Sequence, residues 1–87
     1  MKTIWKYKLN NDDNPIVIRV PRNSIPLCVQ IQNHEPHIWF LVNNNEAGEN
    51  LKFYVYGTGH EIKEENIKYI GTFQLDWMVF HVFMEIN

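Results

Sequence analysis

Period-two alternation of apolar and polar residues runs through this chain from one end to the other, and it restricts the backbone to half-buried strands. The stretch IWKYKL puts Trp5, Tyr7 and Leu9 on one face, with Lys6 and Lys8 on the other. After the turn-forming residues 10–15, the stretch IVIRV aligns Ile16, Ile18 and Val20 and leaves Arg19 facing out. Pro21 and Pro26, in PRNSIP, interrupt the ladder a second time.

LCVQIQ and HIWFLV flank Asn33-His34-Glu35-Pro36, which reads as a hairpin with a four-residue loop pairing Gln32 with His37. That register sets Ile31 opposite Ile38, Val29 opposite Phe40 and Leu27 opposite Val42, so the apolar pairs share one side. Cys28, Gln30, Trp39 and Leu41 fall on the mixed side. Residues 43–50 read as a polar loop. LKFYVY follows as a strand with Leu51, Phe53 and Val55 on one face and Tyr54 and Tyr56 on the other.

HEIKEEN is short and charged, with the length of one helical turn. Gly71, inside IKYIGTFQ, marks a bulge, a bend or a close backbone approach. The final run, WMVFHVFMEI, has β-forming residues at Trp77, Val79, Phe80, Val82 and Phe83. Helical spacing of Leu75, Met78, Val79, Val82 and Ile86, capped by Asp76, is the competing reading. The expectation is a single all-β antiparallel domain over residues 1–87 with six or seven strands. It folds as a small sandwich or a partly open barrel.

Eighty-seven residues with 45% hydrophobic and 14% aromatic content build one core and no more. Eight basic and ten acidic groups give a net charge of −2, which argues against direct nucleic-acid binding. Cys28 is the single cysteine, so no intramolecular disulfide forms and a reducing cytoplasm is the expected setting. The opening MKTIWKYKLN alternates instead of forming a basic-then-apolar leader, and no long apolar run suggests a membrane span.

Gly57-Thr58-Gly59-His60 is the most distinctive motif. Consecutive backbone N–H groups in such a turn can form an anion nest, with Thr58 and His60 adding donors. Alternatively, the two glycines merely supply positive φ at a strand exit. The motif lacks the lysine and spacing of a nucleotide-hydrolase phosphate loop, and the third glycine of a dinucleotide fingerprint.

His34 and His37, even with Cys28, lack metal-ligand spacing, so neither metal nor cofactor is expected. His81 falls opposite Thr72 if Asp76 and Trp77 form a two-residue turn, which gives the imidazole a structural partner. Glu61, Glu64 and Glu65 read as a solvated cluster. No spacing arranges a base beside Cys28, Ser24 or a threonine, so catalysis is not expected.

The C-terminal run carries Met78, Phe80, Val82 and Met84 on one face, and Trp77, Val79, Phe83 and His81 on the other. A strand apolar on both sides must be covered on both sides. Either it is sandwiched within the fold or Met78, Phe80, Val82 and Met84 form a subunit interface in a homo-oligomer.

The motifs YGTGHEI, YIGTFQL and VFHVF, with the opening MKTIWKYKL and His37-Ile38-Trp39, resemble a family of short phage- and prophage-encoded proteins. The two-residue join at Asp76-Trp77 is shorter than the glycine-containing turn of that pattern. The resemblance covers nearly the whole chain and supplies no activity. It implies a phage accessory protein acting in the cytoplasm of an infected bacterium.

Two binding mechanisms follow. In the first, a small phosphorylated signal such as a cyclic nucleotide is sequestered. Gly57, Thr58, Gly59 and His60 hold phosphate, Trp39 or Tyr56 stacks a base, and Arg19 or Arg22 pairs charge. In the second, Trp39, Tyr54 and Tyr56 anchor a host defence protein, such as a CRISPR effector, and block it. A nucleotide enzyme acting through His60 and Glu61, or a virion component assembling through the last strand, stand behind these.

Overall fold

A computed structural model describes residues 1–86 as seven strands and no helix. In chain order they are β1 (Lys2–Lys8), β2 (Ile16–Pro21), β3 (Ile25–Gln32), β4 (Glu35–Asn43), β5 (Gly48–Gly57), β6 (Ile67–Leu75) and β7 (Met78–Glu85). They form a three-stranded sheet, β1-β4-β3, and a four-stranded sheet, β2-β5-β7-β6, packed face to face. Every pairing is antiparallel, and the result is a sandwich, not a closed barrel. No helix here is long and apolar enough to cross a membrane.

Alternation decides the core. Ile16, Ile18 and Val20 turn inward from β2, Ile38, Phe40 and Val42 from β4, Phe53 from β5, Phe73 from β6 and Val82 from β7. Phe40 and Phe53, one from each sheet, meet edge to face with centroids 6.1 Å apart. Burying each such side chain is worth about 1.5–3 kcal/mol, so this layer supplies most of the drive to fold. On one side β3 lies against β6, where Gly71 sits beside Val29 at a register shift in β6. A Cβ on Gly71 would come within 3.0 Å of Val29 Cγ2, so the glycine serves both a bulge and a close approach.

Several expectations change. The β3–β4 loop has two residues, not four. Asn33 and His34 both take positive φ, 53° and 66°, the geometry of a type I′ turn whose twist matches the strands. Gln32 therefore pairs with Glu35, Ile31 with Pro36 and Val29 with Ile38. A two-residue shift preserves which face is buried, so the sorting survives although the partners differ. Leu27 does not face Val42. A bulge between Pro26 and Cys28 turns it outward, 47% exposed.

Residues 48–50 are not loop, because β5 begins at Gly48 and pairs there with the end of β2. HEIKEEN forms no helical turn. The C-terminal run is strand, and β7 lies at the interior of its sheet between β5 and β6. Val82 is fully buried, and Phe80 and Met84 pack on the same core. The face assigned to a subunit interface, Met78, Phe80, Val82 and Met84, thus points into the molecule's own core, with Met78 at its exposed end.

The other face of β7 is covered by the chain itself. β5 ends at Gly57 beside Phe80, at the start of β7, and β6 begins at Ile67 beside Glu85, at its end. Residues 58–66 must therefore run the length of β7. The inner side is filled, so this strap crosses the outer side. It is tied at both ends: Thr58 N–H donates to Val79 O at 3.3 Å, and Ile86 N–H donates to Asn66 O at 2.8 Å.

Candidate functional site

At the start of the strap, Gly57-Thr58-Gly59-His60 forms a β-turn closed by His60 N–H donating to Gly57 O at 3.1 Å. Gly59 supplies the positive φ, 87°. Gly57 does not, but a Cβ there would lie 2.9 Å from the His60 ring, which folds back over it. Thr58 N–H is engaged by Val79 O and His60 N–H by Gly57 O. A nest needs successive free donors, and two of the turn's N–H groups, those of Thr58 and His60, are already engaged. That leaves the Gly59 N–H, with no backbone partner among the described residues, between two engaged donors in the turn expected to hold phosphate through Gly57, Thr58, Gly59 and His60. A shallow cleft of about 330 Å³ does open beside it, between His60, Trp77 and Met78.

His81 has the partner that its register gives it. Asp76 and Trp77 make a two-residue turn, Leu75 pairs with Met78, and Thr72 lies opposite His81. The imidazole bridges two hydroxyls, with Nε2 2.8 Å from Thr58 Oγ1 and Nδ1 3.1 Å from Thr72 Oγ1. Tyr69 OH continues the chain to Thr72 Oγ1. A neutral ring donates from one nitrogen and accepts at the other, and hydroxyls can complement either arrangement. This relay ties the strap, β7 and β6 together.

Around it stand Tyr54, Tyr56, Tyr69 and Phe83. Phe83 takes Tyr56 at 5.9 Å and Tyr69 at 5.7 Å, both edge to face. The Tyr54 hydroxyl is held above its ordinary value of 10.0 by desolvation first, then by the carboxylates of Glu85 and Glu64.

The remaining residues of the expected ligand site do not converge on this turn. Tyr56 is adjacent. Arg19 pairs with Asn50, seven residues back along β5 from Gly57, or about 23 Å at strand rise. Its guanidinium bonds Asn50 Oδ1 at 3.3 Å. Arg22 is tied by its backbone N–H to Ala47 O, at the same distant end. Trp39 is on the outer face of the other sheet, so the sandwich separates it from Gly57 and His60. Among the described residues, no three of His, Cys, Asp and Glu gather as a metal site requires.

A different surface comes together on the outside of the three-stranded sheet. Register aligns Ile4, Leu41 and Ile25 as one apolar rung, Lys6, Trp39 and Cys28 as the next, and Lys8, His37 and Gln30 as a polar third. Ile4 is 57% exposed and Ile25 55%, and Leu27 joins them beside Cys28 and Trp39 in a shallow cleft. Lys2, Lys6 and Lys8 line the free β1 edge, where positive side chains discourage strand-to-strand aggregation. Lys8 pairs with Glu35 at 3.3 Å, and Lys6 reaches across β4 to the Gln32 amide oxygen.

Of this surface, sequence reading placed Cys28, Gln30, Trp39 and Leu41 on one side of the hairpin and named only Trp39 as a contact residue. The signal for the rest was Ile4, an apolar residue on the lysine side of β1, and the apolar pair Ile25 and Leu27 around Pro26.

Over residues 1–87 the chain matches the family described as Domain of unknown function (DUF7352). Neither a curated protein nor a solved structure matches it.

Proposed function

We propose, for a chain that belongs to this family and so takes no stated activity from it, a non-enzymatic protein-binding role. Its docking surface is the outer face of the three-stranded sheet. One observation carries this reading: register gathers apolar side chains from β1, β3 and β4 into one cluster on this face with a margin of lysines. Ile4, Ile25 and Leu27 are exposed there, the half-buried Leu41 and Trp39 lie in the same rungs, and a row of lysines stands beside them. Contiguous exposed apolar side chains with a charged margin mark interaction surfaces. The matching partner is a protein surface that is apolar at its centre and acidic at its rim, which the lysines steer into register. Resemblance to phage-encoded proteins supports a bacterial host protein as that partner, including a defence effector that the contact blocks.

Sequestration of a phosphorylated signal is less supported, because the Thr58 and His60 N–H groups are engaged and Arg19, Arg22 and Trp39 lie apart from the turn.

The test is a binary affinity measurement with the partner, after its capture from host lysate and purification. Leu27→Asp is expected to weaken binding at least about tenfold, as loss of a central apolar anchor does. Gly59→Val and His60→Ala should leave it unchanged. The partner should also slow alkylation of Cys28. Loss on the turn variants instead, or a nucleotide-sized mass retained in native mass spectrometry, would overturn the reading.

A further inference from the structure

We infer that a cleft at the end of this docking face is a carboxylate subsite, built to take an acidic residue of the partner beside an apolar one. The inference rests on the protein-binding reading above and adds to it the chemistry of one contact. The cleft has a volume of about 250 Å³ and lies between the start of β1, the β2–β3 turn and the β4–β5 turn. Its floor is Ile25, Leu41 and Val42, and its rim carries Lys2, Arg22 and Glu46.

Ile25 and Leu41 also belong to the exposed apolar rung, so the cleft continues the docking surface. No aromatic side chain lines it, which removes base stacking as its use. The volume is below that of a drug-sized pocket and suits a single branched side chain with its charge.

Its walls are fixed before any ligand arrives. Arg22 N–H donates to Ala47 O at 2.8 Å, pinning one turn to the other. Asn23 takes a positive φ of 65°, and Ser24 N–H closes the β2–β3 turn on Pro21 O at 3.2 Å. In the β4–β5 turn, Glu46 N–H donates to Asn43 O at 3.1 Å, and Asn45 N–H to Asn43 Oδ1 at 3.2 Å. Preorganised walls reduce the ordering cost of binding.

The charge is also uncommitted. Among the described residues, Lys8 and Glu35 are the ion pair present, so Glu46 makes no direct ion pair with Arg22 or Lys2. A planar guanidinium over an apolar floor matches a carboxylate with two parallel hydrogen bonds.

N-acetyl-leucine and N-acetyl-leucinamide are the probes, since they share an apolar group and differ in the carboxylate. Amide chemical shifts of the ¹⁵N-labelled protein report both location and affinity. The carboxylate probe should move Arg22, Asn23, Ile25, Leu41 and Asn43 saturably, and the amide probe should not. Added salt should weaken the effect, and Arg22→Gln should weaken it at least about fivefold while preserving spectral dispersion. Equal shifts from both probes, shifts centred on Gly57–His60, or no shift from either would overturn the subsite.

The partner assay separates this from the parent proposal. If Leu27→Asp weakens partner binding and Arg22→Gln does not, the face stands and the subsite falls. If the probe binds at Arg22 and Leu27→Asp leaves partner binding intact, the face falls.

Discussion

Tyr54 shows how much a single outer-face residue is constrained. Its hydroxyl lies 3.5 Å from Glu85 Oε1, and Glu64 on the strap contributes a second carboxylate. Desolvation is the larger cause of its raised value, and both acids add to it because a phenolate there would be a further negative charge. Unfolding releases the group to titrate near 10.0, so the unfolded chain loses its proton first as pH rises. The stability that this group contributes is therefore fully present below that value and is lost as pH climbs through the higher folded one. Urea midpoints measured above neutrality should fall once pH passes about 10, and Tyr54→Phe should flatten part of that fall. Tyr7, also raised by burial, leaves a residual slope in the variant. Sequence showed that Tyr54 faces away from Phe53; it did not show Glu64 arriving from the strap. Gly71 was more legible, since a glycine inside a strand pattern already implied its bulge and close contact.

Among the elements, the strands were legible and their connections much less so. Alternation names the inward residue of each strand, and a shift of two residues leaves that answer unchanged. This is why the β3–β4 sorting survived the wrong loop length. Loop length depends on whether Asn33 and His34 accept positive φ, a property their residue types allow without requiring. The strap was hidden for a similar reason. Nothing in its charged composition says that it bridges two parallel strands across β7.

Its attachment is local and testable. His81 joins Thr58 to Thr72, whereas Tyr56 OH and Glu64 Oε2 are shut from solvent without a hydrogen-bond partner. Each orphaned polar atom disfavours the closed strap by about 1–3 kcal/mol, so the relay and the end ties hold it against an opposing term. His81→Ala should cost about 1–2 kcal/mol in urea unfolding. It should also speed hydrogen exchange across residues 58–66 well before the core amides of β4 and β5 respond. Equal acceleration in the core would mean that the relay supports the whole fold and not the strap.

At the scale of the whole molecule, the question is what holds the sandwich together and what is left for binding. Sequence posed it correctly by finding β7 apolar on both sides. The need for cover, however, has two solutions of equal standing in composition: another subunit, or another segment of the same chain. Only the strand order β2-β5-β7-β6 distinguishes them, because it separates β5 from β6 and forces their link across β7. With β7 crossed by the chain itself, a cluster of exposed apolar side chains remains on the opposite sheet, at Ile4, Ile25 and Leu27. These side chains are outside the core formed by Phe40, Phe53 and Val82 and do not pack against it. Replacing Ile4 and Leu27 together by serine should therefore change stability by no more than about 0.5 kcal/mol per site, the range of ordinary surface positions. The same variant should lose binding of an apolar fluorescent dye and stay dispersed at higher protein concentration. Phe53→Ala is the opposing control, with an expected loss of about 3–5 kcal/mol from the cavity it leaves. A large stability loss in the serine variant would place Ile4 and Leu27 in the fold's own support, and the outer face of the three-stranded sheet would no longer be free to bind anything.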